Sequence, residues 1–83
     1  MMDFVEWKER NPLRVWRTEN GMTAFEVAAR MGVSVQAMAR WESGAAMPSA
    51  DSLAKIALMM GRGDDMVDVI AAEWQAWRDE ALN

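Results

Sequence analysis

The chain is broken at short intervals by residues that start or stop helices, and this punctuation limits what it can fold into. Asn11-Pro12 is an N-cap followed by proline at the first helical position, and Asn20-Gly21 supplies a stop. Thr23-Ala24-Phe25-Glu26 has the spacing of a capping box, in which the Thr hydroxyl accepts from a free amide and the Glu reaches back. Gly32 ends that segment, Ser34 caps the next, and Gly44 terminates it. Pro48-Ser49 opens a fourth helix running to about Gly61. Asp64 or Asp65 is expected to cap a fifth, its acidic first turn suiting the positive end of the helix dipole. No strand pattern competes: nothing alternates over more than a few residues, and Asn20-Gly21 follows a helical pattern rather than joining β-branched runs.

Eighty-three residues divided in this way make one small all-α domain, with no room for a second independent core. Ala, Met and Leu dominate the hydrophobic residues over Val, Ile and Tyr, which favours helix. Helical periodicity assigns the inward faces. Leu13, Trp16 and Val15 serve the first of these helices, and Val27, Ala28 and Met31 the second. Met38 and part of Trp41 serve the third, and Leu53, Ile56, Ala57 and Met60 the fourth. In the tail, Val67, Ile70, Trp74, Trp77 and Ala81 fall at three- and four-residue steps along one stripe. Phe4 and Trp7 form a shorter stripe near the start, so residues 1–10 read as a partly helical extension. Residues 11–62 form the central unit, and 63–83 an acidic amphipathic helix of the same compact body.

Charge is distributed unevenly. Residues 1–62 hold eight Lys or Arg against seven Asp or Glu, whereas residues 63–83 hold one Arg against six acids. The net charge of -4 is therefore a property of the tail. Cysteine and histidine are both absent, which excludes disulfides, Cys nucleophiles and His bases and removes the two best zinc ligands. No cofactor, metal or catalytic residue is expected, and an enzyme is a poor reading. No apolar run approaches the roughly 20 residues of a membrane span, and no signal segment opens the chain. A cytoplasmic, nucleoid-associated protein is the expectation.

The segments LRVWRTENGMT, EVAARMGVS, ARWESG and MPSADSLAKIALMMG stand in one order and spacing. In these the sequence resembles the lambda-repressor/Cro-like, or XRE-type, helix-turn-helix family from Leu13 to about Gly61. The resemblance implies an all-α helix-turn-helix bundle of about five helices, here with an added C-terminal amphipathic helix. It also implies that the helix over 35–43 enters the major groove of double-stranded DNA. By position, Val35, Gln36, Ala39 and Arg40 form the reading face, with Ala37 close by. Gln36 suits an adenine edge, Arg40 a guanine edge or a phosphate, and Val35 a thymine methyl. Arg14, Arg17, Thr23, Ser34, Ser43 and Lys55 are the expected phosphate contacts, and Arg17 with Glu42 an ion pair between helices.

Three features depart from the family pattern. Ala24 stands where the family commonly has a phosphate-binding Gln, Phe25 where a polar residue is usual, and Ala45-Ala46-Met47 where the loop often supplies Lys or Arg. Few phosphates are then neutralised per chain, so a homodimer on a palindromic operator is the natural remedy. The stripe Val67, Ile70, Trp74 and Trp77 is expected either to form that interface or to pack on its own domain with Phe4 and Trp7. The resemblance points to a small transcriptional regulator, a phage, prophage or bacterial repressor or an antitoxin. A protein partner (a toxin or the transcription machinery) is possible on this reading. The alternative is a protein-interaction module that does not bind DNA, with Phe25 and the Ala-Ala-Met loop as its contacts.

Overall fold

A computed structural model describes residues 3–81 as six α-helices and one short 3-10 turn. The ends of the expected extension and tail, residues 1–2 and 82–83, lie outside the described residues. In chain order the helices are α1 (Phe4–Glu9), α2 (Pro12–Glu19), α3 (Ala24–Met31), α4 (Val35–Glu42), α5 (Ala50–Met59) and α6 (Val67–Glu80). Among the described residues no helix is long and apolar enough to cross a membrane.

The helix starts follow the capping residues. Asn11 Oδ1 accepts from the Leu13 and Arg14 amides, both at 3.0 Å, and Asp3 accepts from Val5. Thr23 and Glu26 form the reciprocal capping box, and Ser34 and Ser49 accept from Ala37 and Ser52. The start of α6 differs from expectation. Asp64–Met66 forms the 3-10 turn, Met66 occupies the N-cap position, and no side chain caps α6. The acidic residues answer the helix dipole as charges, without a capping hydrogen bond.

The core joins every helix. Trp7, Leu13, Val27, Met31, Met38, Trp41, Leu53, Ile56, Ile70, Trp74 and Trp77 are buried, and α6 packs on α5 and α2. Trp16, Met60, Val67 and Ala81 are half-buried at its margin. Two expected inward residues lie outside it. Val15 is 38% exposed, and Phe4 is 61% exposed, meeting only the edge of Trp7 at a ring separation of 6.0 Å. A six-residue helix has under two turns, so it turns one aromatic inward and leaves the other on its flank.

The tail stripe packs on its own domain. Trp74 is wholly buried and Trp77 nearly so, which leaves neither free to anchor a second copy. The apolar part of the loop after α4 also turns inward: Ala46 and Met47 pack against the core, and of the three residues Ala45, Ala46 and Met47 only Ala45 is exposed.

Candidate nucleic-acid interface

Helices α3 and α4 are joined by Gly32-Val33-Ser34. Gly32 takes the left-handed conformation at φ +70°, and the Val33 amide reaches back to the Ala28 carbonyl at 3.0 Å. This closes α3 with the short glycine-containing turn that a helix-turn-helix uses. Val33 packs against the core, so the turn is fixed from beneath.

Within α4 the helical period separates two roles. Met38 is fully buried, Trp41 is 8% exposed, and Glu42 is held below the surface. Val35, Gln36, Ala39 and Arg40 are consequently left exposed together, with Ser43 one further step along the same side. Eight residues span about 12 Å, close to the width of the major groove. Ser34 Oγ takes the Ala37 amide at 3.0 Å, while the Val35 and Gln36 amides have no intrahelical acceptor. The end that carries Gln36 therefore also presents free donors and the positive end of the helix dipole, while Arg40 lies in the last turn.

Arg17 sits differently from a phosphate ligand. Its Nε and Nη2 donate to the two Glu42 carboxylate oxygens at 2.7 and 2.8 Å, and Nη1 donates to the Met22 carbonyl at 3.4 Å. The side chains of the pair are only 17% and 9% exposed. Hydrogen bonding to Glu42 raises the Arg17 pKa above its ordinary value; burial opposes this shift and the Glu42 charge reinforces it. Arg17 thus ties α2 to α4, with three of its five N–H groups engaged, two by Glu42 and one by Met22.

The remaining expected phosphate contacts are dispersed. Thr23 caps α3, and the Ser43 hydroxyl donates to the Arg40 carbonyl at 3.2 Å. Arg14 lines a shallow hollow with Glu9 and Glu19, and Lys55 lines another with Arg30 and Leu58; neither hollow includes an α4 residue. Among the described residues Arg14, Arg30, Arg40 and Lys55 make no salt bridge.

One residue does more than its sequence signal implied. Asn11 is wholly buried, and besides capping α2 its Nδ2 donates to the Trp41 carbonyl at 3.3 Å. The Asn-Pro pair marks the cap, but a local pattern holds no sign of a bond reaching 30 residues along the chain.

No curated protein and no solved structure matches the chain. A family model described as helix-turn-helix matches residues 13–65, more than half of the sequence and all of α3 and α4. The chain belongs to the lambda-repressor-like (XRE-type) helix-turn-helix family of DNA-binding regulators.

Proposed function

We propose that the chain is a sequence-specific transcriptional regulator that reads the major groove with α4. The observation that carries this reading is the sorting of α4: Met38, Trp41 and Glu42 lock it to the domain, while Val35, Gln36, Ala39 and Arg40 stay exposed on one side. Gln36 is the adenine-reading residue, Arg40 contacts guanine or the adjacent phosphate, and Val35 packs on a thymine methyl. Thr23, Ser34, Ser43, Arg14 and Lys55 supply backbone contacts, with the free amides at the start of α4. Arg17 is left out because Glu42 holds it.

A homodimer on a palindromic site belongs to this proposal, since few phosphates are neutralised per chain. Trp74 and Trp77 are consumed inside the domain, so the second copy meets another surface. Binding to the promoter region of its own operon, measured at two salt concentrations, tests the reading. Gln36→Ala and Arg40→Ala should each weaken specific binding by about 1–3 kcal/mol, with the fold intact. Parent-like affinity in both variants would refute the assignment of the reading face.

The alternative, a protein-binding module that leaves DNA alone, draws on Phe25 at 70% exposure and Leu58 at 77%. The Ala-Ala-Met loop no longer supports it, because Ala46 and Met47 face the core. Unchanged affinity for specific and scrambled duplexes in every α4 variant would favour this reading.

A further inference from the structure

Three helices of the domain close their own C-terminal ends. After α2, α3 and α5 a left-handed glycine is followed by an amide that reaches back along its own helix. These bonds are Met22 to the Arg17 carbonyl at 2.8 Å, Val33 to Ala28 at 3.0 Å, and Arg62 to Ala57 at 2.8 Å. A Cβ added at Gly21, Gly32 or Gly61 would meet nothing within 4 Å. The end of α4 is built differently. Gly44 is left-handed at φ +81°, but the amide that reaches back is that of Ala46, to the Arg40 carbonyl at 3.2 Å. The Gly44 carbonyl accepts instead from Arg78 Nε of α6 at 3.0 Å. A Cβ at Gly44 would lie 2.9 Å from Trp7 Cη2 and 3.5 Å from Trp77 Cη2.

Those two tryptophans grip each other. Their rings stack with centroids 4.3 Å apart and planes 4° from parallel. Each indole N–H donates to the other residue's carbonyl, Trp7 to Trp77 at 2.7 Å and Trp77 to Trp7 at 2.6 Å. The pair binds α1 to α6, and Gly44 is pressed against its edge. Asn11 holds the preceding turn through the Trp41 carbonyl. Trp7, Asn11, Trp77 and Arg78 all lie outside residues 13–65, the segment that matches the family.

We propose that Arg78, seated beside the Trp7–Trp77 pair, is a positioning residue for the recognition helix. The terminal helices fix the far end of α4 and so set the angle at which Gln36 and Arg40 are presented. The Arg78 guanidinium also places a cation at the negative end of the α4 dipole. The lever is short but sufficient. Tilting a helix of about 12 Å by about 10° around its C-terminal end displaces its N-terminal end by about 2 Å. A base-edge hydrogen bond, confined to about 2.7–3.2 Å, does not survive that displacement. The effect on DNA rests on the reading proposed above; the hold on the end of α4 does not.

The test uses the full chain and a duplex that the parent selects from random-sequence DNA, with a scrambled duplex as control. Arg78→Met keeps the aliphatic stem and removes the donor, and Arg78→Lys restores a cationic donor. In Arg78→Met, affinity for the selected duplex should fall about tenfold, the effect of one lost hydrogen bond. Affinity for the scrambled duplex and the salt slope should stay as in the parent, and Arg78→Lys should recover most of the loss. Without DNA, amide exchange in Arg78→Met should quicken at Ser43 to Ala46 and stay parent-like in α5. Equal loss on both duplexes with a salt slope shallower by about one would make Arg78 a phosphate ligand and overturn the proposal. So would a lowered melting temperature with parent-like affinity in the folded protein, which marks a merely structural contact. If the parent selects no duplex, the DNA reading fails, and amide exchange alone decides the positioning claim. Local quickening at Ser43 to Ala46 then sustains it, and parent-like or chain-wide exchange refutes it.

Discussion

At its N-terminal end α4 is capped by its own Ser34 hydroxyl and carries Val35 and Gln36 into solvent. At its C-terminal end, Trp41, Glu42 and Gly44 are each bound by a residue from elsewhere: Asn11, Arg17 and Arg78. One helix is thus free along the side that is to read and fastened along its other side and at its far end. Substitutions at Glu42 and Gly44 should change stability, and those on the free side should change only recognition.

The largest effect is expected at Glu42. Glu42→Ala leaves the Arg17 guanidinium, 17% exposed, without its carboxylate, and breaking such a pair from one side costs about 3–5 kcal/mol. Denaturant unfolding would measure this directly. Replacing both partners together, Arg17→Met with Glu42→Leu, should cost far less, because no charge is then stranded. A double variant as unstable as Glu42→Ala would show that the pair itself, and not the stranded charge, holds α2 to α4. The linkage also has a sign. Arg17 is raised above its ordinary pKa, so its contribution is complete below that value and is lost only as pH rises through the higher folded one. The Arg17 contribution should therefore stay constant across the neutral and mildly alkaline range.

A smaller effect separates Gly44 from the other helix-ending glycines. Gly61→Ala meets open space and carries only the left-handed penalty of about 1–2 kcal/mol. Gly44→Ala carries that penalty and also drives a methyl to 2.9 Å from Trp7, which is pinned by two hydrogen bonds and a stacked ring. It should therefore lower the melting temperature more than Gly61→Ala does. Equal losses would mean that the tryptophan pair yields, and that the closed end of α4 is looser than its geometry implies.

The same contrast explains what was legible in the sequence. Caps and stops act within four residues, so Asn11, Thr23, Ser34, Ser49 and the glycines after α2, α3 and α4 stand where the local chemistry put them. The α4 face was equally readable, because Met38 and Trp41 fix by period which residues face out. Legibility failed where the deciding partner is distant. The Trp stripe of the tail suits a second copy or its own core equally well until Trp7 is found stacked on Trp77, 70 residues away. Ala46 and Met47 read as an exposed apolar loop because nothing nearby reveals the core surface they cover. Asp64 and Asp65 carry the charge that suits a helix start, but charge alone does not select the residue at which the 3-10 turn becomes α6.

The smallest expected effect is on the free side, and it is the most demanding check of the contrast. Gln36 and Arg40 are exposed, and Arg40 makes no salt bridge among the described residues. Neither side chain is needed to hold α4, since Ser34 caps the helix and Met38 and Trp41 bury its other side. Gln36→Ala and Arg40→Ala should therefore stay within about 0.5 kcal/mol of the parent in unfolding free energy. Alanine is the most favourable residue in a helix interior, so its propensity should offset part of any loss at these positions. A drop beyond that window in either variant would show the reading face contributing to the fold. The division between a fastened side and a free side would then fail at the residues on which the proposed function depends.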